Sequence, residues 1–170
     1  MRALAGAGVT LEPQLAAHAP ELFRVIADPA LYTHIDQAPP ANEAALRERL
    51  LRLEARLSPD GMAHWLNWIV RDAAGTIVGY VQATVTPDGA AEIAYVIGRD
   101  HWRRGHAHAA CRAMIAELMA SYRVTRLTAT LDPANAASLA LVEKLGLGLA
   151  WEDHAAREAG YARDLVPARQ

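Results

Sequence analysis

Hydrophobic and polar positions change their spacing along the chain, and each change marks a different kind of element. From 15 to 26 the apolar positions fit a helix, and Pro20 is placed where a first helical turn begins. Residues 36–41 break regular structure, and Asn42 then suits the N-cap of a second helix. The second helix has a predicted buried stripe of Leu46, Leu50, Leu53 and Leu57.

In the middle of the chain the apolar residues form short runs that are typical of β-strands. These runs occupy 65–70, 77–85 and 92–97. Short turn sequences at 72–75 and 86–89 separate them. Because strands joined by such turns pair with their neighbours, this region is predicted to be an antiparallel meander.

Helical spacing returns after residue 100. A buried stripe predicts a helix that continues to Tyr122, and residues 124–131 then suit a strand. Asn135 is placed to cap a short helix, which has Lys144 in its last turn and ends before Gly146. The buried stripe of the longer helix is Ala107, Cys111, Met114 and Leu118.

The tail, residues 149–166, is predicted to add one or two strands around Trp151 and Tyr161. The predicted order is strand, two helices, three strands, helix, strand, helix and the final strand or strands. A strand–helix–strand unit over 92–131 implies a right-handed parallel crossover beside the meander. The sequence therefore predicts an α+β fold, and its length suits one domain over residues 1–170.

Composition excludes several classes of protein. Hydrophobic residues make up 52% of the chain and charged residues 21%, as in a folded globule. The single cysteine, Cys111, rules out an internal disulfide framework and lies on an apolar stripe, so it is expected to be packed and not nucleophilic. A net charge of -2 gives no general positive field, so nucleic acid is not an expected partner.

Targeting and membrane segments are not expected either. Gly6, Gly8, Glu12 and Pro13 interrupt the apolar start before a secretory core forms. The sequence has no apolar run of the ~18 residues that a membrane helix needs. We therefore expect a cytoplasmic protein without a membrane partner.

The stretch 102–109 carries the strongest chemical signal, because it joins a predicted strand to a predicted helix. A helix N-terminus offers unpaired backbone N–H groups and a partial positive charge, which suit an anion. Gly105 allows the backbone to approach a ligand, and Ala107 leaves room for a bulky anion such as pyrophosphate. The alternative is that Arg103 and Arg104 are solvated charges before an ordinary helix.

Other phosphate and metal sites fit less well. The sole lysine, Lys144, is not in a Walker sequence, which excludes a P-loop nucleotidase. His101, His106 and His108 lack a neighbouring cysteine or carboxylate that completes a ligand set. We therefore predict no metal.

Three segments in this order resemble the Gcn5-related N-acetyltransferase (GNAT) family, and most closely its branch of ribosomal-protein N-terminal acetyltransferases (RimJ/RimL-like). They are the strand 92–97, the run Trp102-Arg103-Arg104-Gly105-His106-Ala107, and 132–138 followed by Glu143-Lys144-Leu145-Gly146-Leu147. The resemblance implies the GNAT fold, a mixed and mostly antiparallel central sheet with splayed strands and about four flanking helices. Leu147 replaces the phenylalanine that usually ends the last motif.

The resemblance also implies a binding site for acetyl-CoA. The loop that grips its pyrophosphate corresponds to Arg103, Arg104, Gly105, His106, Ala107 and His108. Backbone groups of Val96 and Ile97 correspond to those that meet the pantetheine arm between the splayed strands. Asn135 corresponds to a further contact from the next helix start.

Catalytic roles are implied less fully. Glu92 matches the general base of the histone-acetylating members, although a solvated residue at a strand start is the alternative. Many relatives use a tyrosine as general acid where this chain has Val142. Ser138 is the candidate substitute, with an ordinary first-turn role as its alternative, and Tyr95 is a third candidate.

Two functions follow from these expectations. The first is an enzyme that transfers acetyl from acetyl-CoA to a primary amine, either a protein N-terminus or a small amine. The second is a CoA-binding module of the same fold without turnover. The acceptor is expected to contact residues 36–41, the second helix and the tail. Trp65 and Trp68 lie on opposite faces of one predicted strand, so one is expected in the core and the other at the acceptor pocket. A homodimer is the generic expectation.

Overall fold

One eight-stranded sheet forms the centre of the computed structural model, which describes residues 1–165. In chain order its strands are β1 (Leu4–Gly6), β2 (Val9–Pro13), β3 (His64–Asp72), β4 (Ile77–Val85), β5 (Ala90–Ile97), β6 (Arg126–Leu131), β7 (Gly148–Asp153) and β8 (Glu158–Asp164). Across the sheet their order is β1-β2-β3-β4-β5-β6-β8-β7. Only the β5–β6 pair among them is parallel, so the described sheet is mixed and mostly antiparallel.

Four helices flank the sheet in the described chain. They are α1 (Ala19–Ile26), α2 (Glu43–Leu53), α3 (His106–Tyr122) and α4 (Ala136–Lys144), with short 3-10 turns at Ala16–His18, Pro29–Tyr32 and Arg99–His101. The predicted caps are present: Asn42 accepts from the amide of Ala45, and Asn135 accepts from that of Ser138. Gly146 adopts φ 83° just beyond α4, where a left-handed residue ends the helix.

The alternation of side chains along the strands separates two apolar layers. Ile69 of β3 and Val96 of β5 pack with α1 and α2 on one face. Val81 of β4 and Ile97 of β5 pack with α3 on the other face. Cys111 lies in this second layer and is fully buried, as its place on the apolar stripe predicts.

The opening between β5 and β6 is the feature that positions the site. Their parallel pairing joins only Ala90–Glu92 of β5 to 126–128 of β6. Beyond Glu92, β5 continues to pair with β4, while β6 continues to pair with β8. The two strands therefore part after Glu92 and leave a wedge inside the sheet.

The sequence predictions differ from the structure in a few places. The chain begins with a hairpin of β1 and β2, where one strand was expected, because Gly8 makes a left-handed turn between them. Leu57 lies beyond the end of α2 and is 43% exposed, so the buried stripe is shorter than predicted. The tail forms two strands, and Val166 lies outside the described residues.

No helix within residues 1–165 combines the length and the hydropathy that a membrane crossing requires.

Candidate active site

A cleft of about 510 Å³ occupies the wedge between β5 and β6. One wall is the segment 93–96 of β5, and the opposite wall is 129–132 at the end of β6. The start of α4 closes one side of the cleft, and the loop 33–37 together with the 156–158 turn closes another. The cleft therefore passes from the helix α4 side of the sheet toward the layer of α1 and α2.

The loop between β5 and α3 presents unsatisfied backbone donors. Arg103 and Gly105 adopt left-handed conformations, with φ 61° and φ 82°. Gly105 is the N-cap of α3 and supplies no side-chain cap. Within residues 1–165, the backbone amides of residues 103–108 donate to no protein group. This is the donor-rich geometry that binds an anion at a helix start.

Trp102 braces this loop against the end of β5. Its indole Nε1 donates to the carbonyl oxygen of Ile97 at 2.7 Å. The carbonyl oxygen of Val96 faces Gly79 of β4, since a Cβ on Gly79 would overlap it. Neither carbonyl is therefore turned freely into the wedge, and Val96 lines the cleft while Ile97 does not.

Positive charge at the loop comes from its arginines. Arg103 and Arg104 are exposed. Burial lowers the pKa of His106, and burial also lowers the pKa of His108, which lies near Lys144. Both imidazoles are therefore mostly neutral at pH 7, because the ordinary pKa of histidine is already about 6.5.

The candidates at the start of α4 meet at the cleft. Asn135 and Ser138 both line it. Asn135 uses its side-chain oxygen for the cap, which leaves its amide NH₂ available. Tyr95 donates its hydroxyl proton to the backbone carbonyl of Ser138 at 3.3 Å, and burial raises the pKa of Tyr95 to about 12. Val142 also lines the cleft and is fully buried.

Glu92 lies at the point where β5 and β6 part. It is the last residue of β5 that pairs with β6, opposite Thr128. Its carboxylate accepts a hydrogen bond from the Thr130 hydroxyl at 3.1 Å. Glu92 is exposed and is not itself part of the cleft wall, but Thr130 is. No local pattern predicts this hydrogen bond, because it links two strands that are distant in the chain.

Three separate segments meet at the rim of the cleft on Asp132. Its carboxylate lies 2.9 Å from His34 Nδ1 and 3.2 Å from Arg157 Nη2, and it also accepts from the Ala134 amide at 2.8 Å. The hydrogen bond to His34 is the main cause that holds the pKa of Asp132 below its usual value. We refer to His34, Asp132 and Arg157 as the rim triad. Sequence reasoning placed the acceptor near 36–41 but missed this contact, since no local motif encodes it.

Other candidates fall outside the cleft. Trp68 is fully buried in the core, whereas Trp65 is partly buried and does not line the cleft, so the tryptophan expectation for the acceptor finds no support. Burial raises the pKa of the Cys111 thiol to about 12, which keeps it protonated. In the described part of the chain, His, Cys, Asp and Glu residues form no group of three or more that could hold a metal.

Comparison with known proteins identifies what this arrangement is similar to. A family model described as the acetyltransferase (GNAT) domain matches residues 9–148. An uncharacterized N-acetyltransferase p20 from Bacillus licheniformis is 26% identical over 139 residues, which cover 81% of this chain and 77% of that protein. The uncharacterized protein YkkB from Bacillus subtilis (strain 168) is 28% identical over 100 residues, and the match spans only 58% of its length.

Among solved structures, the fold is similar to RimL, the ribosomal L7/L12 alpha-N-protein acetyltransferase, in complex with coenzyme A. The TM-score is 0.85 at 16% identity, and the match covers 96% of this chain and 98% of that chain. At this identity the likeness concerns the fold.

Proposed function

The chain belongs to the acetyltransferase (GNAT) domain family, and from that premise we propose that it transfers the acetyl group of acetyl-CoA to a primary amine. The observation that carries the proposal is the wedge between β5 and β6, which opens beside a helix start with unpartnered backbone donors. A thioester arm fits the wedge, and a diphosphate fits the helix start.

In this proposal the cofactor is held mainly by backbone groups. The amides of residues 103–108 bind the pyrophosphate, while Arg103 and Arg104 add positive field. The carbonyl oxygens of Val96 and Ile97 are already engaged, so we assign contact with the pantetheine arm to their remaining backbone groups and to the side chain of Asn135. The Trp102 brace on Ile97 supports this arrangement, because it fixes the angle between β5 and the loop.

Direct transfer needs a neutral amine, a stabilised oxyanion and a proton for the departing thiolate. The amine nitrogen forms a bond to the acetyl carbon as the carbon–sulfur bond breaks, and the proton lost by nitrogen balances the one gained by sulfur. We assign the base role to Glu92, acting through water, because Thr130 holds its carboxylate at the edge of the cleft. Ser138 is the proposed acid.

Tyr95 is the competing candidate for the acid. Its hydroxyl already donates to the Ser138 carbonyl, and burial raises the pKa of Tyr95 to about 12. A serine hydroxyl is no stronger an acid, so the choice of Ser138 rests on geometry: within residues 1–165 its hydroxyl makes no hydrogen bond to protein, and its proton is uncommitted. Ser138→Ala should therefore lower kcat by more than Tyr95→Phe does.

The acceptor is a primary amine, with a protein N-terminus and a small amine as the two classes. The similarity to RimL, whose substrate is a ribosomal protein N-terminus, supports the first class. The rim triad supports an acceptor of limited size, because it ties three segments together at the entrance.

A non-catalytic CoA-binding module is the second candidate, favoured by the buried Val142 where relatives carry an acid. Calorimetric titration with acetyl-CoA and CoA tests binding, and thiol release from acetyl-CoA with a panel of amines tests transfer. Binding with amine-dependent thiol release is the expected result. Binding without release for every amine would select the module, and the absence of binding would contradict both candidates.

A further inference from the structure

A second, smaller cavity lies beneath α2 and shares two walls with the cleft. Its volume is about 10 Å³, and we call it the α2 chamber. Its polar walls are Gln14, Arg49, Asn67, Tyr80 and Gln82, while apolar residues of α1 and α2 close it above. Tyr80 and Gln82 also line the cleft, so the chamber adjoins the proposed acceptor side.

The polar walls follow one row across the sheet. The backbone amide of Gln14 donates to the carbonyl of Asn67 at 3.0 Å, and Asn67 pairs with Gln82 of β4. Gln82 pairs in turn with Ala94 of β5, which is a wall of the cleft. Because the side chain of Ala94 ends at its Cβ, it does not fill the space between Gln82 and the cleft.

This row is costly as a purely structural feature. Gln14 is 5% exposed, and within the described residues its Nε2 has no hydrogen-bond partner. Asn67 is 6% exposed, and its Nδ2 reaches only the Trp65 carbonyl at 3.3 Å. Buried amide groups without good partners are unfavourable by a few kcal/mol in an otherwise apolar layer. The chamber therefore has spare hydrogen-bonding capacity.

Arg49 makes the α2 chamber electrostatically positive. Its guanidinium lies beside the Tyr80 hydroxyl, and burial raises the pKa of Tyr80, so that group remains a neutral donor. No carboxylate in residues 1–165 forms a salt bridge with Arg49. An unpaired guanidinium with neighbouring amide and hydroxyl donors is suited to a carboxylate oxygen.

We propose that the α2 chamber is an acceptor subsite for a carboxylate, so that the acceptor is a small amino-carboxylic acid. This inference rests on the proposed function, and it chooses between the two acceptor classes. The chamber has room for about one oxygen atom, which suits the end of a small molecule better than a continuing peptide chain.

The spacing agrees with this acceptor. Neighbouring strands lie about 4.8 Å apart, and Gln82 is one strand away from the β5 edge of the wedge. A carboxylate over Gln82 and Arg49 would therefore lie about 5 to 10 Å from an amine at the wedge. In an α-amino acid the amine nitrogen and the carboxylate are only about 3 Å apart. The spacing therefore favours an acid whose amine lies several bonds from its carboxylate, as in γ-aminobutyrate or at the side-chain amine of lysine.

The test compares matched acceptors in a thiol-release assay with acetyl-CoA. Each standard amino acid, β-alanine and γ-aminobutyrate is measured beside its own amide and beside an N-terminal peptide of the same residue. We expect the free acid to have the higher kcat/KM for at least one matched set. A preference for the amide or the peptide in every set would overturn the carboxylate subsite.

Variants identify the chamber as the source of that preference. Arg49→Gln should raise KM for the preferred acid about 10-fold or more and leave its amide nearly unchanged. Arg47→Gln is the matched control, because Arg47 is exposed on the same helix. Equal effects of Arg49→Gln on acid and amide would overturn the subsite. If no acceptor stimulates thiol release, the result would instead contradict the proposed function.

Gln14→Leu provides an independent readout. It replaces a buried amide that has an unpartnered Nε2, so the free energy of unfolding should stay the same or rise. We expect the acid's KM to rise several-fold at the same time. Unchanged KM with raised stability would mean that Gln14 only holds water, and would remove it from the subsite.

Discussion

The two ends of the proposed active site are built in different ways. At the cofactor end, one continuous stretch from β5 through residue 108 supplies backbone donors, arginines and a left-handed glycine. At the acceptor end, the rim triad and the α2 chamber draw single side chains from many elements. The first end depends on where the backbone runs, whereas the second depends on which side chains meet.

The charges of the two ends also differ. The cofactor loop carries Arg99, Arg103 and Arg104, with Asp100 as its nearest acid in sequence. The rim of the cleft carries Asp132 and Glu158, with Arg157 beside them. An anionic cofactor and a cationic amine are therefore each met by opposite charge. We therefore expect glycine substitutions to impair the cofactor end and substitutions of polar side chains to impair the acceptor end.

The largest expected effect comes from adding a Cβ where two strands approach closely. In Gly79→Ala the new atom overlaps the Val96 carbonyl oxygen, which belongs to the backbone and cannot move aside. We expect the free energy of unfolding to fall by about 3 kcal/mol or more. Denaturant unfolding of wild type and variant measures this change.

Gly160→Ala is the matched control for that prediction. Its Cβ would overlap the indole of Trp151, which is a side chain and not backbone, and that residue is 47% exposed. We expect a loss within about 1 kcal/mol. If both variants lose the same stability, the close approach of the β4 and β5 backbones at Gly79 is not the cause of the loss.

Glu92→Gln should produce the next largest effect, on turnover alone. Loss of the base is expected to lower kcat/KM about 100-fold at neutral pH, while the Kd for CoA stays the same. Glu158→Gln, the same change of carboxylate to carboxamide at the rim of the cleft, should lower kcat/KM far less. An unaltered rate in Glu92→Gln would remove Glu92 from the mechanism.

The sequence predicted the local structure of the proposed cofactor end better than the side-chain contacts of the proposed acceptor end. Asn135, Gly105 and the alternation around β5 are local signals, and each is found where local chemistry predicts it. The Thr130 tether of Glu92 joins residues 38 positions apart, and the His34 contact with Asp132 joins residues 98 apart. Such contacts depend on the packed sheet, so no spacing rule reveals them. The prediction that Leu57 belongs to the buried stripe was wrong, because helix periodicity alone does not determine where a helix ends.

Gly105→Ala should weaken cofactor binding and lower the free energy of unfolding by only about 1 to 2 kcal/mol. Its φ of 82° disfavours a Cβ by about 1 to 2 kcal/mol, although no atom lies within 4 Å of that Cβ. Relaxation of the loop toward ordinary angles would turn its amides, so we expect about 10-fold weaker CoA binding by calorimetry.

Gly75→Ala is the control for this loop, because its φ is 84° and its Cβ would also meet nothing within 4 Å. Both variants should lose similar stability, since the backbone strain is the same. Only Gly105→Ala should change the Kd for CoA. Equal Kd values would show that the loop does not bind the cofactor through its backbone.

Asp132→Asn should have the smallest effect, and only at the acceptor end. The side chain at 132 then loses its charge and with it the ion pair to Arg157, and the hydrogen bond to His34 is weakened, so we expect the acceptor KM to rise a few-fold while the CoA Kd stays constant. Asp36→Asn, at an exposed position in the same rim, is the control. A change in CoA affinity would mean that the two ends are not independent.

The pH dependence of stability tests whether the charge of Asp132 stabilises the rim triad. Because the pKa of Asp132 is lowered in the folded state, mainly by the hydrogen bond from His34, its stabilising contribution is present above the unfolded pKa of about 3.9. It is lost as pH falls through the lower, folded pKa. The stability difference between wild type and Asp132→Asn should therefore shrink as pH falls below about 4. A difference that stays constant into that acidic range would show that the carboxylate's charge does not hold the rim together.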